Sequence, residues 1–309
     1  MKLVIIGNGF DLAHEIKSSY RDFKKYLTKK KRGAEFQDLT ERDRVLFDHI
    51  KTHLGNRGIN LWTELEKATN PLADLFYNWN SDNRPSYLEN RGYVNLDADI
   101  IRQLWDDFSW VNDFQLAFDD WVSKLNNTPV ERMFNLPIEN VLYFSFNYTN
   151  TLERVYGISD NQIIKIHVMN GNDDDSKNVY IFGNREERKN ACIENAEIDY
   201  LDQESKQTLY AIHMIQHRLY KDCMMLLGGH EDQLCYDNIS DIDVMGCSFN
   251  EIDYPYFETI KANVSQSTRW HLFWHKENDK TQAERYKDFL QLDNCDLIHD
   301  TEFYKLEHH

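Results

Sequence analysis

Basic charge is what this chain has too little of: 35 lysines and arginines stand against 52 aspartates and glutamates, a formal net charge of −17. Sequence-independent binding to nucleic acid draws its affinity from Lys and Arg displacing counterions, so nucleic acid is not expected as a partner. The one basic run, Lys29-Lys30-Lys31-Arg32, follows a helical pattern and reads as a solvated helix end. Cysteine is sparse as well. Cys192, Cys223, Cys235, Cys247 and Cys295 are odd in number and contain no C-x-x-C pair. That argues against a disulfide framework and a zinc site, and for a reducing cytoplasm. Long apolar runs are missing too. Only Leu3-Val4-Ile5-Ile6 precedes Gly7 and Asp11 follows soon after, which predicts neither a signal peptide nor a membrane span. Internal repeats and low-complexity tracts are absent.

Metal motifs are wanting in the same way. His213 and His217 would share a helix face, but no Glu follows His213 as H-E-x-x-H requires. Asp173-Asp174-Asp175 lacks the alternation and closing Glu of a calcium loop and reads as a solvated turn. No structural metal is expected.

What is present is enough apolar material for a large core: 309 residues, 41% hydrophobic, with seven tryptophans. Such a length favours one elaborate domain or two coupled ones. Leu306-Glu307-His308-His309 are expected to be the start of an appended purification tag.

The most informative stretch is Gly7-Asn8-Gly9-Phe10-Asp11-Leu12-Ala13-His14, directly behind the apolar run. A buried strand there enters a glycine turn and then a helix, a junction that can bring backbone N–H groups against a phosphate. The third glycine of the dinucleotide fingerprint is missing, since the chain runs on as Leu12-Ala13. The alternative reading is a tight strand-to-helix connection, with Asp11 capping the helix.

Helical patterns then run from Tyr20 to Lys30, Glu41 to Leu54, Leu61 to Ala68, Leu72 to Trp79 and Asp97 to Leu125, with a loop at Asn78 to Pro85. In the longest, Ile101, Leu104, Trp105, Phe108, Val111, Phe114, Phe118, Trp121, Val122 and Leu125 recur at three- and four-residue steps, an amphipathic stripe facing a core. Residues 15–137 are therefore expected as an all-helical insertion into an α/β domain made of 1–14 and 138–305. Short apolar runs return at 141–146, 163–167, 179–182, 242–246, 270–274 and 296–298, with helices at 206–221, 256–263 and 281–290 between the later ones. This alternation predicts a Rossmann-like, mostly parallel sheet flanked by helices.

Ligands of open α/β sheets bind beyond the carboxyl ends of the strands. Three of these ends carry polar residues: Asn147-Tyr148-Thr149-Asn150-Thr151, His167, and Gly246-Cys247-Ser248 leading to Asp253. With Gly7, Asn8, Gly9, Phe10 and Asp11 they are expected to line one nucleotide-binding crevice. Each has a plainer reading. Asn147 can bond its own turn, His167 can be a half-buried histidine on a backbone carbonyl, and Asp253 can cap the helix before Tyr254-Pro255.

The run I-I-G-N-G-F-D-L-A-H, Trp62-Thr63-Glu64-Leu65-Glu66, F-N-Y-T-N-T-L-E at 146–153, I-H at 166–167, Phe182-Gly183 and G-C-S-x-x-E-I-D-Y-P-Y-F at 246–257 together resemble the bacteriophage abortive-infection AbiH family. The same plan also resembles, more distantly, sirtuin-like proteins that bind NAD. The first resemblance implies phage defence, with a phage trigger or partner protein. The second implies an NAD(P)-type glycohydrolase in which Asn147 and His167 are catalytic; Gly7, Asn8, Gly9, Phe10, Asp11, Thr149, Gly246, Ser248 and Asp253 would hold NAD or a related nucleotide. The chain departs from those patterns at Thr149, where N-Y-D has a carboxylate, at Val168 after the histidine, and at Cys247. A non-enzymatic nucleotide sensor that signals to a partner protein is the alternative.

Overall fold

Five-residue runs such as Lys2-Leu3-Val4-Ile5-Ile6, with four consecutive buried residues, suit a strand covered on both faces, as the inner strands of parallel sheets are. The computed structural model describes residues 1–29, 113–169, 179–181 and 223–305. Contacts divide the chain into two compact units. One is 1–19, 122–180 and 223–309; the other is 20–121 and 181–222.

The first unit holds a six-stranded sheet, β1 (Lys2–Ile6), β2 (Val141–Ser145), β3 (Ile163–Lys165), β6 (Asp241–Met245), β7 (Arg269–Trp274) and β8 (Cys295–His299), in the order β3-β2-β1-β6-β7-β8. Every pairing is parallel. β1 is the hinge of the order, with β2 on one side and β6 on the other.

In chain order the described helices are α1 (Asn8–Ala13), α2 (Tyr20–Lys29), α3 (residues 113–126), α4 (Thr151–Tyr156), α5 (Cys223–Gly228), α6 (Glu231–Leu234), α7 (Tyr254–Asn263) and α8 (Glu277–Leu290). Pro255 in the first turn of α7 starts that helix without wasting an N–H. The Asp279 carboxylate accepts the Lys276 N–H at the start of α8.

On one face of the sheet Leu3, Ile5, Phe144, Val244 and Leu272 pack against Phe257 and Ile260 of α7 and Ala283 and Tyr286 of α8. On the other, Val4, Ile6, Tyr143 and Met245 pack against Phe10, Phe134, Leu136, Leu152, Tyr156 and Phe303. Phe134 and Leu136, which lie within the expected 15–137 insertion, pack in this core of the sheet. In the second unit Phe23 of α2 lies 5.3 Å from Phe118 and 5.1 Å from Trp121, so the predicted aromatic stripe is a packing surface where it is described.

The described part of the run at 179–182 is not a strand of the main sheet. β4 (Val168–Met169) and β5 (Val179–Tyr180) form a separate antiparallel pair. So short an apolar run looks the same in either setting, and only its partner decides. The expected helices between 30 and 112 and at 206–221, the loop at 78–85, and Asp173, Asp174, Asp175, His213 and His217 lie outside the described residues. Among the described residues no helix is long and apolar enough to cross a membrane.

Candidate functional site

Strand register places the expected residues relative to one another. Lys165 pairs with Ser145, Ser145 with Ile6, and Ile6 with Met245. The ladder runs one residue further, through Ile166 N–H to Ser145 O at 3.3 Å, Phe146 N–H to Ile6 O at 2.9 Å and Gly7 N–H to Met245 O at 2.9 Å. His167, Asn147, Asn8 and Cys247 each come two residues after the last paired residue of one of four adjacent strands.

Three amides of the β1 turn are spent inside the protein. Gly7 N–H donates to Met245 O, Gly9 N–H to Gly246 O at 2.8 Å, and Phe10 N–H to Gly7 O at 2.9 Å. The glycines allow two backbones to touch. A Cβ on Gly9 would sit 2.5 Å from Gly246 Cα, and one on Gly246 would sit 2.4 Å from Phe10 N, with φ at +70° besides. Asn8 is exposed and its Oδ1 accepts the Ser18 hydroxyl at 2.5 Å. The Phe10 ring stacks on Phe134 at 5.5 Å in the core.

Asp11 is not the cap of α1, since the helix begins at Asn8 and its Gly7 cap has no side chain. Its carboxylate is fully buried and accepts the Thr149 hydroxyl at 2.7 Å and the Thr151 hydroxyl at 2.8 Å; the two hydroxyls are 3.0 Å apart. Burial pushes the Asp11 carboxyl up to about 6, and the two hydroxyls pull it back only in part. Three residues on, His14 Nδ1 lies 2.7 Å from Phe10 O and Nε2 2.6 Å from Tyr156 Oη. A carbonyl only accepts, so Nδ1 carries the proton. The tyrosine accepts the Met133 and Phe134 N–H groups and gives its own proton to Nε2. Burial holds His14 below its usual range, in keeping with this neutral form.

The loop after β2 differs. Asn147 is 3% exposed, and neither its amide oxygen nor its amide nitrogen finds a hydrogen-bond partner among the described residues. The turn-bonding reading of this side chain therefore fails. Its backbone N–H donates to Ser145 Oγ at 3.2 Å. Beside it the Tyr148 ring lies 4.4 Å from that of His167, itself buried. β3 ends at Lys165, so His167 stands in the passage from β3 to β4 and not on the strand the sequence pattern drew.

The β6 end is mixed. Cys247 is half-buried by exposure, and burial together with Asp253 raises its thiol pKa, which keeps it protonated. Ser248 is exposed. Asp253 occupies the cap position of α7 without a capping hydrogen bond from its side chain. The register and contacts thus bring together Gly7, Gly9 and Gly246, Asp11 and Thr149, and His167 and Tyr148, the chain neighbour of Asn147; Ser248 faces solvent. Sequence reasoning named Thr151 only within its polar segment and missed Tyr156 and Ser145; Tyr156 meets His14, 142 positions away, and Ser145 takes the Asn147 N–H two residues on. Among the described residues no group of three or more His, Cys, Asp or Glu could hold a metal ion.

No curated protein matches the chain. Residues 3–274 match the family described as "Bacteriophage abortive infection AbiH", a span that takes in β1, the glycine turn, the Asn147 loop, His167 and β7. The chain belongs to the AbiH family.

Proposed function

We propose that this chain serves phage defence in the reducing cytoplasm by binding NAD or a related nucleotide at the carboxyl edge of its sheet and hydrolysing the nicotinamide–ribose bond. One observation carries the reading: the Asn147 amide, buried with donor and acceptor both unfilled among the described residues. A buried, unpaired polar group costs about 1–3 kcal/mol, so a fold that keeps one invites a ligand that fills it. A ribose diol, which both donates and accepts, suits a carboxamide.

Strand order supports the same reading. Numbered in chain order, the six sheet strands run 3-2-1-4-5-6, the order of Rossmann-like dinucleotide-binding sheets, whose ligands lie where the order reverses. In the second unit the described residues 20–29 and 113–121 are helical, in keeping with a helical insertion. The four described cysteines are free thiols, as a reducing compartment allows.

In the reaction, a water oxygen bonds to ribose C1′ as the glycosidic C–N bond breaks. The bonding pair returns to the ring nitrogen and neutral nicotinamide leaves, while the water's proton passes to His167 as general base. Asn147 orients the water or the ribose hydroxyls.

Incubation of the whole protein with NAD, with and without phage lysate, followed by chromatography, tests this. Nicotinamide and ADP-ribose should appear in equal amounts, and Asn147→Ala and His167→Ala should each lose activity by about a hundredfold or more. Nucleotide bound without nicotinamide release replaces hydrolysis by sensing, and no binding of any nucleotide in a panel rejects both.

A further inference from the structure

We infer that Asp11 touches no ligand and is a positioning residue that latches the Asn147 loop from below. This rests on the reading of Asn147 as the ligand-contacting amide.

Both carboxylate oxygens of Asp11 are taken, one by Thr149 and one by Thr151, and the residue is fully buried. Nothing of it is left for a ribose. The two threonines bracket the turn that follows Asn147 and Tyr148, so the carboxylate ties α1 to the loop at two points. Other bonds pin the rest of that loop. The Asn147 N–H binds Ser145 Oγ, the Asn150 N–H binds Asn126 Oδ1 at 2.9 Å, and the Arg154 N–H closes the first turn of α4 on Asn150 O at 2.9 Å. Among the described residues, Asp11 alone reaches the loop from β1's side through charge-assisted bonds. Held at both ends and in the middle, the Asn147 side chain keeps its unfilled amide in one place, which lowers the ordering cost of binding.

The latch depends on ionisation. A protonated carboxyl turns one acceptor into a donor and cannot take both threonine hydroxyls as they stand. The charged and titratable groups that bear on it are Arg154 and Glu153 of α4, with His14 on α1 held neutral. Arg154 favours the ionised form, Glu153 opposes it, and burial outweighs both.

The experiment is hydrogen exchange of the full chain, read at the segment 146–152, with NAD titration by calorimetry as a second arm. Thr149→Val with Thr151→Val keeps the side-chain shape and removes both hydroxyls. It should speed exchange in 146–152 by about tenfold or more while β7 and α8 keep wild-type rates, whereas Thr149→Ser with Thr151→Ser should restore protection. Wild-type exchange in that segment should also quicken as pH falls below 6, after correction for intrinsic rates, and the valine pair should lack this step. Equal exchange in the wild type and the valine pair overturns the latch, whatever NAD does. Loosened exchange with undiminished NAD affinity overturns the positioning role. If the wild type binds no NAD, the nucleotide reading fails by itself, and the exchange arm still decides the latch.

Discussion

The turn after β1 and the loop after β2 leave adjacent strands at one level, yet they spend their polar groups in opposite ways. Gly7, Gly9 and Phe10 donate their amides to neighbouring carbonyls, and three glycines let two backbones meet at distances no side chain would permit. The β2 loop keeps a buried side-chain amide with nothing to bond among the described residues. A glycine-rich turn is therefore poor evidence of a ligand cradle until its N–H groups have been accounted for. An unfilled buried amide is better evidence, because folding alone gives it no reason to persist.

The β1 side of this contrast breaks most severely at Gly246. Its Cβ would meet Phe10 N at 2.4 Å and Gly9 carbonyl carbon at 2.8 Å, both backbone, in a left-handed conformation that costs an L residue a further 1–2 kcal/mol, roughly. Gly246→Ala should lose about 4 kcal/mol or more, read from the denaturant midpoint, or fail to fold. Gly228→Ala is the control. Nothing lies within 4 Å of its Cβ and its position is helical, so it should be neutral or stabilising by about 0.5 kcal/mol. Equal losses at both positions would show that the close approach of the two turns is not what the glycines serve.

Asp11, where the two regions meet, comes next in size. Its folded-state carboxyl stands at about 6 against an ordinary 3.8, so the folded protein prefers the neutral form. The stability this confers is complete below about pH 4 and is lost as pH rises through 6, amounting to about 3 kcal/mol by pH 7. Asp11→Asn has no such titration. The wild type should therefore lose about 3 kcal/mol relative to the variant between pH 4 and 7, measured as paired denaturation curves. A difference flat with pH would mean the carboxylate is not desolvated as its burial requires. Ionised Asp11 thus costs stability at neutral pH, as expected of a group kept for what it holds in place.

These two sites also mark what the sequence reveals. β1, β2, β6, β7 and β8 are legible because parallel strands buried on both faces read as plain apolar runs. α4, α5 and α6, with six, six and four residues, are too short for a helical period to declare itself. Asn147 and His167 are legible as polar residues at strand ends, and the roles given to them come from resemblance. Asp11 was visible as a residue and illegible as a role, because its partners lie 138 and 140 positions away. The same pairing accounts for a departure. Thr149 stands where the sirtuin-like pattern has a carboxylate, and here a carboxylate would face Asp11 with no proton between them.

The smallest effect carries the comparison furthest. If the Asn147 amide were a structural bond, replacing it with a leucine of similar volume would cost about 1–3 kcal/mol, since a buried partner would be left unpaired. No partner is found among the described residues. Asn147→Leu removes two unfilled polar atoms and adds apolar contact, so the ligand-free protein should gain about 1 kcal/mol, seen as a higher melting temperature. The gain should come with complete loss of NAD binding. Stabilisation joined to loss of binding is what a group kept for a ligand predicts. A destabilised variant that still binds NAD would move Asn147 from the site to the scaffold, and the β2 loop would then differ from the β1 turn in no respect that bears on function.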